Sequence, residues 1–100
     1  MDKMEIAKAK ILRGNIIEKL YACYGEDITV SSLKQVLAYK GYNSDQEIKK
    51  AVYYLAGAKK EYVKLVYNKE NYMDSLIWLT PTGVNLAEGD IVDKGVVIDE

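Results

Sequence analysis

Between Ser44 and Tyr62 the chain reads SDQEIKKAVYYLAGAKKEY, and its polar side chains fall at helical intervals. Ile48, Ala51, Val52, Leu55 and Ala56 recur at i, i+3, i+4, i+7 and i+8, the signature of one buried helix face. With that face inward, Gln46, Lys49, Lys50, Tyr53, Gly57 and Lys60 turn outward. An amide, several amines and a phenol are groups for recognition, since they donate hydrogen bonds to oxyanions and carbonyls. Such a face can lie in a DNA groove, dock on a protein or simply meet water.

The rest of the chain offers little catalytic chemistry. It has no histidine, which removes the commonest general acid–base and the commonest metal ligand. There is no Cys-x-x-Cys, no clustered metal-ligand spacing and no glycine-rich phosphate loop. The carboxylate pairs Glu26–Asp27 and Asp45/Glu47 fall at a turn and at a helix start, where acids are ordinary. A non-enzyme without cofactor or metal is expected. The lone cysteine, Cys23, has no internal partner and reads as a small buried apolar residue of an intracellular protein. No apolar run approaches the roughly 20 residues that span a bilayer. Met1 to Lys10 mixes both charges, unlike a signal peptide. The expectation is a cytoplasmic chain with no membrane partner.

One hundred residues, about half of them apolar, suit one domain with one core. Met4 to Tyr24 reads as a first helix on Leu12, Ile16, Leu20 and Cys23, widened by Ile17, Tyr21 and Tyr24. Gly14 weakens it by about 1 kcal/mol relative to alanine, and Gly25 can end it. Ile28 is a short extended residue. Thr29 or Ser32 can cap a second helix, with Thr29 preferred because it aligns Val30, Leu33 and Leu37. Gly41, Tyr42 and Asn43 then lead to Ser44 and Glu47, a capping box for the third helix.

The period changes to two in YVKLVYN (Tyr62–Asn68) and again in SLIWLT (Ser75–Thr80). These make a β-hairpin around the polar KENYMD. Tyr62, Tyr67 and Trp78 are expected to be core or semi-core rings. Thr80 caps a short final helix with Pro81 at its first position and Gly89 at its end. Val96, Val97 and Ile98, between acids, suit a late edge strand or an arm that docks on a partner. The expected layout is a domain over 1–89 and an acidic arm over 90–100.

This order resembles the winged helix-turn-helix family, in particular its small bacterial and prophage members. The resemblance is carried by ITVSSLKQVLAYKGYNSDQEIKKAVYYLAGAKKEYVKLV and by LIWLTPTGVNLAEG, which is similar to the family's Leu-Thr-Pro-x-Gly ending. It covers about residues 5 to 89. It implies an α+β fold: three core helices, a two-stranded wing and a short C-terminal helix. It also implies a transcriptional regulator that lays its third helix in the major groove of duplex DNA.

On that footing Gln46 can read adenine, and Lys49, Lys50 and Lys60 can meet guanine or phosphate. Tyr53 can donate to phosphate or stack. Ser32 and Lys34 lie at the start of the second helix, near backbone phosphate. Lys64, Asn68, Lys69 and Asn71 lie in the wing, near the minor groove or flanking backbone. The chain departs from a strong DNA binder in its sequence pI near 5.5 and its single arginine, Arg13, in the first helix. Asp45, at the tip of the third helix, would repel phosphate. Residues 1–69 hold 13 Lys/Arg against 8 Asp/Glu, a balance of +5, whereas residues 70–100 hold 1 against 7, a balance of −6. A basic body with an acidic tail is the expectation. One short basic helix makes few contacts, so a homodimer is expected. The alternative is a protein-interaction module that binds a partner through its tyrosines and acidic arm.

Overall fold

The computed structural model describes residues 2–98; Met1 and the acidic end of the arm, Asp99 and Glu100, lie outside the described residues. The first helix, α1 (Lys3–Ala22), starts because the Asp2 carboxylate accepts from the Glu5 amide at 2.8 Å. Leu12, Ile16, Ile17 and Leu20 form its buried stripe. Cys23 is only half-buried and Tyr24 is exposed, because the helix has ended at Ala22; Tyr21, still within it, is exposed at its edge and donates to the Glu88 carboxylate at 2.6 Å.

A two-residue strand, β1 (Ile28–Thr29), runs directly into α2 (Val30–Ala38). Thr29 is the cap, its hydroxyl oxygen accepting from the Ser32 amide at 3.0 Å. Val30, Leu33 and Leu37 are buried. The helix closes with Gly41 N donating to Ala38 O and Tyr42 N donating to Leu37 O. This paired closure needs a left-handed residue, and Gly41 supplies it at φ +92°.

Ser44 then caps α3 (Asp45–Leu55), accepting from the Glu47 amide at 3.2 Å. Ile48, Ala51, Val52 and Leu55 are buried as the spacing predicts. After a turn through Glu61, β2 (Val63–Val66) and β3 (Leu76–Leu79) form an antiparallel hairpin with Val63 opposite Leu79 and Leu65 opposite Ile77. On its other side β3 pairs with β1, so the sheet order is β1-β3-β2. Thr80 caps α4 (Pro81–Ala87) by accepting from the Gly83 amide at 3.1 Å. The described residues thus form an α+β fold of four α-helices and a three-stranded antiparallel sheet. Its core joins Ile16, Leu33, Ile48, Leu55, Ile77 and Leu86.

Residues 90–98 form no strand; they fold back across α1 as a strap. Val96 is buried in the core, and Val97 N donates to Lys10 O at 3.1 Å. The strap runs so close to α1 that a methyl group on Gly14 would overlap the Val97 carbonyl oxygen. Gly14 is therefore a contact requirement, where the sequence shows only a weak point in a helix.

Candidate functional site

The outward side of α3 carries Gln46, Lys49, Lys50 and Tyr53, all exposed, with Tyr53 at 80%. Caps at Ser44 and the buried stripe below fix the orientation of this ridge. A groove of about 470 Å³ separates the ridge from the hairpin, with Leu65, Tyr67 and Tyr72 on the hairpin side and Val52 and Ala56 in the floor. The Tyr67 and Tyr72 rings meet at 5.9 Å, tilted by 53°. Lys49 Nζ stands 5.0 Å from the centre of the Tyr72 ring, a cation–π distance. Burial, then the neighbouring Tyr67, pushes the Tyr72 hydroxyl pKa up.

A second hollow lies on the opposite flank of α3, toward α1, and is lined by Arg13, Tyr54, Gly57, Lys59 and Lys60. Lys50 and Tyr53 border both depressions. The ridge therefore has one aromatic flank and one basic flank.

The remaining expected contact residues are placed less simply. Lys34 is ion-paired with Asp45, so the acid at the tip of α3 and one candidate cation cancel. Ser32 is exposed at the start of α2, its Oγ accepting from the Thr29 hydroxyl at 3.0 Å. Lys60 is half-buried and bonded to Asp93 at 2.9 Å, away from the free face where its spacing had put it. Lys64 projects from the face of the hairpin opposite the aromatic groove, beside Trp78 and near Glu26 and Asp27. The alternation of a strand requires this, since Leu65 faces α3.

Asn68 and Asn71 spend their side chains on the hairpin loop. Asn68 Oδ1 accepts from the amides of Glu70 and Asn71, and Asn71 Oδ1 accepts from Met73 N. Lys69 is exposed at the loop tip. Of the eleven expected contact residues, Gln46, Lys49, Lys50 and Tyr53 form one surface.

Sequence reasoning missed three participants. Tyr67, expected as a core or semi-core ring, is 52% exposed and lines the groove with Tyr72. The period-two pattern carries the signal, because Leu65 and Tyr67 share a face. Asp93 is the third: its carboxylate accepts from Tyr62 Oη at 2.7 Å, Tyr54 Oη at 3.1 Å, Gly95 N at 2.7 Å and Lys60 Nζ at 2.9 Å. Burial alone would raise its pKa, but Lys60, Tyr62, the Gly95 amide and Tyr54 together hold it well below the usual carboxylate range. Its pull, foremost among the influences on Lys60, holds that amine above its ordinary value. Tyr62 is pushed up to about 12, first by burial and then by Asp93. No local pattern could have paired residue 93 with residue 60. No helix among the described residues is long and apolar enough to cross a membrane. No family model matches the chain, and no curated protein or solved structure matches it significantly.

Proposed function

We propose that this chain is a winged helix-turn-helix domain that binds duplex DNA as a small transcriptional regulator, with α3 in the major groove and the β2–β3 hairpin as its wing. The observation that carries the reading is the α3 ridge: Gln46, Lys49, Lys50 and Tyr53 stand exposed in one row, with a hairpin beside them. The helix–turn–helix junction at Gly41 and the β1-β3-β2 order support it. In this arrangement the ridge enters the groove, Lys49 and Lys50 meet guanine or phosphate, and Gln46 reaches an adenine edge. Lys69 approaches the flanking backbone. With Lys34 and Lys60 already paired, each domain offers few free cations. Binding as a homodimer doubles that number.

Counterion release tests the reading: duplex affinity must fall steeply as salt rises. The Lys49→Glu, Lys50→Glu double variant, altered only at exposed positions, keeps the wild-type melting temperature and loses more than about tenfold in duplex affinity, the two reversed charges each weakening phosphate contact. Unchanged affinity rejects this face. The apolar, ring-lined groove favours a second reading, a protein-docking module. Absence of duplex binding even at low salt selects it.

A further inference from the structure

The duplex reading uses the ridge and the wing but leaves the basic hollow on the α1 flank without a role. Two residues that line that hollow, Tyr54 and Lys60, also hold an oxyanion behind it. The Asp93 carboxylate collects two phenol hydroxyls, an ammonium and a backbone amide, a donor set that suits a phosphate oxygen equally well. The strap serves the neighbouring arginine too. Arg13 lies over the Tyr54 ring at 3.9 Å and donates to Gly95 O at 3.0 Å, while its buried Nε has no acceptor. Lys60 shares the same ring at 5.2 Å. Lys50 and Lys59 remain exposed at the rim, and Glu61 is the exposed acid beside Lys60.

We propose that this hollow is a second nucleic-acid phosphate contact, and that Asp93 of the strap competes with phosphate for one of its cations, Lys60. The inference rests on the duplex reading. A helix inserted in a groove has a phosphate backbone on each flank. Here one backbone meets the wing, and the other crosses the hollow at Lys50 and Lys59. Asp93 holds Lys60 back from that strand, and the Gly95 carbonyl does the same for Arg13. The chain thus carries its own competitor for phosphate.

The experiment measures the affinity of a 20-base-pair duplex against salt for wild type, Lys59→Glu and Asp93→Asn, with a thermal melt of each. Lys59→Glu is expected to weaken binding several-fold and flatten the salt slope by about 1. Asp93→Asn is expected to tighten binding several-fold and steepen the slope by about 1, as Lys60 becomes available. If Asp93→Asn does not fold, Asp93→Ser, which removes the charge but keeps an acceptor for the Gly95 amide, is expected to show the same tightening. Wild-type binding that Lys49→Glu, Lys50→Glu abolishes but Lys59→Glu leaves intact overturns the hollow while the duplex reading stands. Affinity unchanged or weakened in a folded Asp93→Asn overturns its role as competitor for Lys60. No duplex binding by wild type at low salt sinks both.

Discussion

Asp93 and Tyr62 titrate in opposite directions, and together they set the shape of the stability profile. Asp93 has a lowered pKa in the folded chain, so its stabilisation is complete above the ordinary carboxylate pKa of about 4 and is lost as pH falls below it. Tyr62 has a raised pKa, so its contribution is complete below about 10 and disappears as pH climbs through about 12. Denaturant midpoints are expected to stay level for these two groups between roughly pH 5 and 9 and to drop outside that window. In Asp93→Asn the acid-side drop becomes shallower. An acid limb identical to that of wild type would show that Asp93 is not held by this network.

Gly14 makes a second prediction at the residue scale. Helix propensity alone says that Gly14→Ala stabilises α1 by about 1 kcal/mol. Overlap of the new methyl with the Val97 carbonyl says the reverse, because backbone cannot rotate away as a side chain can. Overpacking of this kind costs about 1–3 kcal/mol, so a net loss is expected in urea denaturation. A gain in stability would place the strap elsewhere.

At the scale of elements, the helix starts differ in what each cap supports. Ser44 makes one exposed bond to the Glu47 amide, and Ser44→Ala is expected to cost about 1 kcal/mol. The Thr80 hydroxyl is buried; it accepts from Gly83 N and lies 2.5 Å from Glu61 O and 3.0 Å from Tyr62 O, to which it donates. Thr80→Ala therefore leaves buried groups unsatisfied as well as removing a cap, and should cost about 2–3 kcal/mol. Equal losses in the two variants, read from chemical denaturation, would contradict this ranking.

These caps also explain what could be read in advance. Thr29, Ser44 and Thr80 act on amides within three residues of themselves, so their roles are written locally. Hairpin alternation is equally local, and it places Lys64 and Leu65 on opposite faces. Asn68 and Asn71 were ambiguous because the same amide that can reach a nucleic acid also builds a tight loop. The pairings Lys34–Asp45 and Lys60–Asp93 join separate elements, and no periodicity within one segment encodes them.

For the whole molecule, the division into a basic body and an acidic tail holds along the chain but not in space. The strap lays Asp93 on Lys60 and the Gly95 carbonyl on Arg13, so opposite ends of the charge pattern meet. Val96 enters the same core as Ile16 and Leu55. Strap and body should accordingly melt together. Trp78 fluorescence, far-ultraviolet circular dichroism and exchange of the Val97 amide should report one transition midpoint. An earlier loss of Val97 protection would mark the strap as a separate unit.

The two unlike flanks of α3 give the domain a heading. Rings border Lys50 and Tyr53 on one side, and amines border them on the other. A duplex laid along the helix in reverse would exchange the strand beside the rings for the strand beside the amines, so the two alignments are not equivalent. If the proposed duplex binding holds, one copy points a single way along its site, and a palindromic site requires two copies facing each other.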